Sequence, residues 1–311
     1  MGGHRKTSET STEGASAPSG RRSRRKWAMA LVLGVAVLGA QALGVTPAWA
    51  NTVPAGSAKA FPGQSLTDRQ TSKSASAKCP SGQRVLGGGA FTVGGVHAVI
   101  TELQPIQDAA GDSFKVTAAA DQFGIAVAWG FQVYAFCAPV PAAVGVQIVP
   151  HKNDPTSNPT DQARTECPVG KTLIGAGGKI DNGNGQVDLG TVTNSSGPFP
   201  TASAAFAKED ADGFAGTYTV TGYSICARAN AFGDFQQLKT SSAPADHRAN
   251  VTCPSPLRLI GLGGSTSVPG THLQRLTPNV TNAPGIGNFG SQSSISITEP
   301  WSMETTVFCA K

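Results

Sequence analysis

The sequence predicts an all-β protein built from three tandem, antiparallel, sandwich-like repeats of about 87 residues, each closed by one disulfide. A stretch that begins with Cys-Pro recurs at Cys79, Cys167 and Cys253, at intervals of 88 and 86 residues. Every copy ends on a cysteine that follows an aromatic residue by eight positions. The composition, with 38 Gly and only 14% charged residues, is typical of extracellular β proteins. A pseudo-threefold β-prism is the alternative arrangement of the same repeats.

The opening stretch of each repeat predicts a short strand with one bare face. Two apolar residues and then two glycines, two positions apart, follow each cysteine; they are Val85, Leu86, Gly87 and Gly89, then Leu173, Ile174, Gly175 and Gly177, then Leu259, Ile260, Gly261 and Gly263. Glycines two apart lie on one face of a strand, where they admit a second backbone or permit a bulge. No helix pattern follows, so a phosphate-binding loop is not favoured.

The turn between Cys-Pro and the apolar pair differs between copies. Pro-x-Gly in the first two copies fits a tight turn, because Pro presets φ and Gly tolerates positive φ. The third copy has Pro256 where the others have glycine, so its turn must differ.

The closing segments Trp129–Cys137, Tyr218–Cys226 and Trp301–Cys309 predict strands that are buried on both sides. In the first of them, apolar side chains occupy both alternating faces, which is typical of a central strand. We interpret the aromatic ring as a plug in the core and not as a surface platform for a sugar.

Residues 1–50 predict a secretory signal peptide. Basic residues precede the apolar run Ala28–Leu43, and Ala48-Trp49-Ala50 is a small-x-small cleavage signal. The run is shorter than the roughly 20 residues of a membrane span. We therefore expect a secreted, extracellular protein that starts at Asn51 and has no membrane span. Ser23-Arg24-Arg25 leaves the general secretory and twin-arginine routes both open.

The charge of the mature chain argues against nucleic acid as a partner. Residues 1–50 hold seven of the 24 Lys and Arg and two of the 19 Asp and Glu, so 17 of each sign remain. A formally neutral chain offers no electrostatic footprint for nucleic acid or for an anionic membrane.

All six cysteines lie after residue 50, and fifteen pairings are possible in principle. The repeat selects Cys79 with Cys137, Cys167 with Cys226, and Cys253 with Cys309. Export makes these disulfides plausible. Metal ligation is not favoured, because the chain has no Cys-x-x-Cys pair.

The repeats are placed at 51–138, 139–228 and 229–311. Each begins with a strand, such as Val144–His151, followed by a polar loop before its Cys-Pro. Asp181-Asn-Gly-Asn-Gly predicts a hairpin turn. Alternating segments then follow, Ile125–Ala128 among them, for five to seven short strands per repeat. Closely packed units are expected, because no long flexible linker separates the repeats.

The pattern of Cys-Pro-x-Gly, apolar pair, glycines, aromatic residue and closing Cys-Ala resembles repeats in secreted proteins of actinomycetes. The segments Val133-Tyr-Ala-Phe-Cys-Ala and Gly222-Tyr-Ser-Ile-Cys-Ala are similar to the closing strand of those repeats. The resemblance covers all three repeats but implies no activity and no site residues. A looser similarity to the threefold β-prism proteins of the egg vitelline membrane, which also use Cys-Pro-x-Gly, keeps the prism as an alternative fold.

No catalytic or metal motif stands out in the sequence. His97, His151, His247 and His272 form no metalloprotease helix, and Gly-x-Ser-x-Gly is absent. The acids that could act in glycoside hydrolysis are separated in sequence and lack a supporting motif; they are Glu102, Asp121, Asp188 and Glu209. The acidic loops Asp181–Asp188 and Glu209–Gly213 lack the spacing of the twelve-residue calcium loop. We predict no cofactor, no metal and no catalytic residue.

The sequence therefore predicts a non-catalytic protein that binds or coats an extracellular surface, with polysaccharide or the cell surface as the expected ligand class. Threefold repetition suits weak multivalent binding. A hydrolase with a site between repeats is the alternative, and it requires one pocket that holds several titratable groups. An inhibitor or toxin-like module, the third possibility, requires a protruding loop, for which Thr193–Pro200 is the candidate.

Overall fold

The computed structural model describes residues 51–94, 97–194, 200–210, 212–242, 248–266, 271–278, 286–293 and 302–311. The signal peptide prediction, Trp301, His247 and most of the Thr193–Pro200 loop lie outside these residues. The described residues contain eighteen strands, β1 to β18, with six in each repeat. Within each repeat the six strands are also named a to f in chain order, so that strand a is β1, β7 or β13.

The first repeat contributes β1 Lys59–Gln64, β2 Ser72–Lys78, β3 Gln83–Val93, β4 Ala98–Ile106, β5 Ser113–Ala120 and β6 Gly130–Pro139. After a 3₁₀ turn at Ala142–Val144, the second contributes β7 Gln147–Lys152, β8 Thr160–Glu166, β9 Lys171–Asp181, β10 Val187–Asn194, β11 Ala202–Glu209 and β12 Thr219–Arg228. The third contributes β13 Gln236–Ser242, β14 Arg248–Thr252, β15 Arg258–Thr266, β16 Thr271–Pro278, β17 Ile286–Ser293 and β18 Met303–Ala310.

Each of the three six-stranded sheets combines strands from two repeats. The orders are β1-β6-β3-β16-β17-β14, β13-β18-β15-β10-β11-β8 and β7-β12-β9-β4-β5-β2. Every sheet therefore has strands a, f and c of one repeat followed by d, e and b of another, and all pairs are antiparallel. The all-β, antiparallel prediction is confirmed. The cyclic exchange fits the pseudo-threefold arrangement and not three self-contained sandwiches, because no repeat completes a sheet alone.

The glycines eight positions after each opening cysteine bring the three c strands together. A Cβ on Gly87 would lie 2.8 Å from the carbonyl oxygen of Ile260, one on Gly261 would lie 2.4 Å from that of Ile174, and one on Gly175 would lie 2.2 Å from that of Leu86. Real Cβ atoms do not approach backbone atoms so closely. The three contacts run in a cycle through the three repeats, so the bare face admits a neighbouring backbone at the pseudo-threefold axis.

A bulge accompanies this contact in every repeat. The register with strand f skips one residue of strand c, which is Leu86, Ile174 or Ile260. These residues are at most 1% exposed and belong to one apolar cluster. A bulge leaves the extra residue unpaired and bends the strand. The side chain of the second residue in each apolar pair is therefore buried in a core that all three repeats share.

The glycines ten positions after the cysteine admit strand d of another repeat. A Cβ on Gly89 would overlap the carbonyl oxygen of Leu276, and one on Gly177 would lie 2.3 Å from that of Leu103. In the first two repeats, the two glycines of the opening stretch therefore serve two different contacts between repeats.

The closing strands are central and buried, as predicted. Trp129 and Tyr218 are fully buried, which confirms the core-plug interpretation for the two described rings. The Trp129 Nε1 donates to the Gln70 carbonyl at 2.8 Å, and the Tyr218 hydroxyl donates to the Asn158 carbonyl at 2.7 Å. Each buried ring therefore has a partner for its polar atom.

The disulfides join Cys79 to Cys137, Cys167 to Cys226, and Cys253 to Cys309, with Cα–Cα distances of 5.6, 5.6 and 5.7 Å. These are the pairs that the repeat pattern selects. Each joins the residue that directly follows strand b to the end of strand f within one repeat, so it does not cross-link different repeats.

Two sequence predictions were wrong in detail. Ile125–Ala128 lies in a loop and not in a strand. The turn at Asp181–Gly185 does form, but its flanking strands β9 and β10 belong to different sheets. It carries the chain from one sheet to the next and closes no hairpin.

Candidate functional site

A polar groove of about 710 Å³ lies where repeats 1 and 2 share a sheet. Strands β4 and β5 of repeat 1 and β9 of repeat 2 line its floor, and the register at the junction pairs Glu102 with Lys179. The turn at 120–124 and the turn at 182–185 form its rim. The groove is thus built by the strand exchange.

The two rim turns touch each other because one of them ends in glycine. Gly185 has φ +77°, and a Cβ there would lie 2.1 Å from the Ala120 carbonyl oxygen. Asn182 and Asn184 also have positive φ, 66° and 51°, a conformation that Asn tolerates better than most residues. The Asn-Gly steps noticed in the sequence therefore shape the rim.

The charges in the groove are paired with each other. Lys115 Nζ lies 3.0 and 3.2 Å from the two carboxylate oxygens of the buried Glu102, and the Thr117 hydroxyl donates to the same carboxylate. Lys179 Nζ lies 2.7 Å from Asp181, and this hydrogen bond raises the pKa of Lys179. The groove consequently offers many donors and acceptors but little uncompensated charge.

The negative charges of these acids contribute to the pKa of a buried tyrosine, Tyr223, on strand f of repeat 2. Burial raises the pKa of Tyr223 to about 12, with smaller contributions from the negative charges of Glu102 and Asp181. Tyr223 therefore stays protonated and neutral at physiological pH.

One corner of the rim carries an imidazole and an exposed aromatic ring. His97 Nδ1 lies 2.8 Å from the Asp121 carboxylate, which lines the groove. The Phe123 ring packs against His97 with a centroid distance of 5.6 Å and remains 59% exposed. This corner combines a flat apolar surface with polar groups.

The structure separates the four acids singled out in the sequence into two groups. Glu102 and Asp121 both line the groove. Asp188 and Glu209 are buried in the neighbouring sheet, where Asp188 pairs in register with Lys208. Among the described residues, no three His, Cys, Asp or Glu side chains are grouped so that they could hold a metal ion.

The corresponding junction between repeats 1 and 3 has different chemistry. There the register places Arg275 opposite Phe91, and the guanidinium lies 4.7 Å from the centre of the Phe91 ring. The Phe91 ring also stacks with Tyr134. The polar set at the first junction is therefore a property of that junction and is not repeated at this one.

Sequence reasoning missed the lysines of the groove, and it gave Asn182 and Asn184 only a role in a turn. Lys115 and Lys179 come from two repeats and look like ordinary surface residues in the sequence. Only the pairing of β4 with β9, which no local pattern reveals, brings them together. His151 lies exposed on the edge strand β7, away from this set, and nothing is described of the side chain of His272.

Within the described part of the chain, no helix has the length and apolar character needed to cross a bilayer. No family model matches the chain, and no curated protein matches it significantly.

Proposed function

We propose that the protein is secreted and binds an extracellular carbohydrate surface without cleaving it, through the groove between repeats 1 and 2. The single observation that carries this proposal is the pairing of the groove's charges among themselves. The three disulfides support an oxidising, extracellular location.

A neutral polyhydroxylated ligand suits a groove of this kind. Lys115 and Lys179 are each paired with a carboxylate, so neither attracts an anion strongly. Sugar hydroxyls both donate and accept hydrogen bonds. The amides of Asn182, Asn184 and Gln122 at the rim supply both functions at known positions.

The exposed ring of Phe123 supplies the apolar part of the site. Binding sites combine apolar surface with a few polar groups that fix orientation. Phe123 is held by its backbone N–H, which donates to the Asp121 carboxylate at 2.9 Å, and by its contact with His97. Phe123 lies between Gln122 and Gly124, which both line the groove, so a sugar ring could contact Phe123 at the rim.

Replacing Asn182 and Asn184 together by glycine is expected to weaken binding about tenfold, because two amides are lost, each worth about 0.5–1.5 kcal/mol. Glycine keeps the positive φ, so stability should change little. Retention on insoluble cell-wall polysaccharide, chitin and cellulose, measured as a binding isotherm, tests this.

Asn230→Gly is the matched control, because Asn230 also has positive φ, 63°, but does not line the groove. Binding to a neutral polysaccharide should be insensitive to added salt. No retention on any of the polysaccharides, or equal loss in Asn230→Gly, would contradict the proposal.

A hydrolase remains the second candidate, because Glu102 and Asp181 line one groove formed between repeats. The hydrogen bonds of Glu102 argue against it: Lys115 and Thr117 donate to its two carboxylate oxygens, so this carboxylate is already engaged within the protein. Release of reducing sugar from the bound polysaccharide, abolished in Asp181→Asn, would establish this second candidate in place of the first.

A further inference from the structure

A buried carboxylate that the proposed binding does not use lies just behind the groove. Asp210 follows β11 and is 7% exposed. Neither of its carboxylate oxygens accepts a hydrogen bond from the described residues. A buried charge without donors is costly, so something must compensate it.

The groups that face Asp210 are mostly acidic. They are the carboxylate of Asp212, the carboxylate of Asp188 on β10 and the amide of Gln122. The nearby cation, Lys208 on β11, is opposite Asp188 in the register and interacts with its charge. Glu209 accepts from the Phe214 N–H at 3.2 Å.

Gln122 connects this cluster to the groove. Its Nε2 donates to Asp212 Oδ1 at 3.0 Å, and Gln122 itself lines the groove. This bond joins the 120–124 turn of repeat 1 to the 210–213 turn of repeat 2, in which the Gly213 N–H donates to the Asp210 carbonyl at 3.3 Å.

Either a proton or a metal cation could offset the negative charge of the two neighbouring carboxylates, Asp210 and Asp212. The described residues do not include three acidic, His or Cys side chains arranged to hold a metal. A single proton needs only two oxygens, since one carboxyl group then donates to the other carboxylate. The arrangement therefore favours a shared proton.

We propose that Asp210 and Asp212 share one proton, and that loss of this proton strengthens the hydrogen bonding of the Gln122 amide to these carboxylates and so makes the groove sensitive to pH. The part of this inference that concerns ligand binding rests on the proposed function. The proton lies between the two carboxyl groups at mildly acidic pH and leaves to solvent as the pH rises.

Burial, then the interaction with the Asp212 carboxyl group and the negative charge of Asp188, raise the pKa of Asp210 from 3.8 to about 6, although the Gln122 amide acts in the opposite direction. The folded protein therefore holds the proton more tightly than the unfolded chain does. The resulting stability is fully present below about pH 4 and is lost as the pH rises through about 6.

The test compares chemical unfolding of wild type, Asp210→Asn and the exposed control Asp154→Asn at about pH 5 and about pH 7.5. The unfolding equilibrium constant of wild type relative to Asp210→Asn should rise about tenfold between the two pH values. Asp154→Asn should follow wild type. If Asp210→Asn fails to fold, Asp212→Asn gives the same test. Residue 212 is exposed, and the asparagine amide can donate a hydrogen bond to Asp210.

The side-chain amide NMR signals of Gln122 should titrate with the same midpoint in wild type and stay fixed in Asp210→Asn. Fixed Gln122 signals in wild type, or equal pH dependence in all variants, would overturn the inference. So would calcium chloride, if it stabilised wild type but not Asp210→Asn at about pH 7.5. Failure to bind any polysaccharide would contradict the proposed function alone, because neither readout requires a ligand.

Discussion

Gly175→Ala is expected to prevent the native fold or to lower the free energy of unfolding by at least about 3 kcal/mol. The added Cβ would lie 2.2 Å from the Leu86 carbonyl oxygen of another repeat. That oxygen belongs to a backbone held at the axis by three mutually packed strands, so it cannot shift without disturbing all three sheets. Chemical unfolding followed by circular dichroism measures the effect.

Gly233→Ala is the control for this substitution. Gly233 is exposed, and a Cβ there would make only an ordinary contact, 3.5 Å from the Lys311 side chain. Its stability should stay within about 0.5–1 kcal/mol of wild type. A Gly175→Ala protein as stable as Gly233→Ala would show that the c strands do not meet as described.

Trp129→Ala is expected to lower the free energy of unfolding by about 3–5 kcal/mol, the usual cost of removing a large buried ring. The ring is fully buried, its Nε1 donates to the Gln70 carbonyl, and the Lys73 ammonium lies 4.9 Å from its centre. The substitution would leave a cavity and a carbonyl without this donor. Denaturant unfolding monitored by far-UV circular dichroism measures the loss.

Two further variants separate the contributions of lost volume and of the lost hydrogen bond to the stability change in Trp129→Ala. Trp129→Phe keeps most of the volume but loses the hydrogen bond, so it should cost less than Trp129→Ala. Val127→Ala in the same loop, where Val127 is 54% exposed, should change stability by no more than about 0.5 kcal/mol. A Trp129→Ala protein that resembled Val127→Ala would contradict the core-plug assignment.

Local sequence patterns predicted those strands whose buried side chains give them a mostly apolar sequence. The closing strands have apolar residues on both faces because both faces of β6 and β12 are buried. Strand b was missed: β2 and β8, with the sequences SKSASAK and TDQARTE, look like polar loops. Strand b lies at the edge of each sheet, where few side chains need to be buried, so its sequence carries a weak signal.

The arrangement of the repeats depends on pairing that the sequence does not display. The glycine pair predicted a close approach of a second backbone, and such an approach does occur at Gly175. No pattern in the sequence, however, predicted that the neighbour would be Leu86 of another repeat. The candidate site follows from the same pairing. Glu102 was noticed as an acid, whereas its junction partner Lys179 was not, because the two lie in different repeats.

The central claim is that no repeat completes a sheet by itself, and the most direct measurement is the amide NMR spectrum of residues 139–228 produced alone and kept monomeric. Strand β9 would lack β4, and β10 would lack β15, so the account predicts a collapsed spectrum typical of an unfolded chain. A well-dispersed spectrum from that monomer would contradict the account.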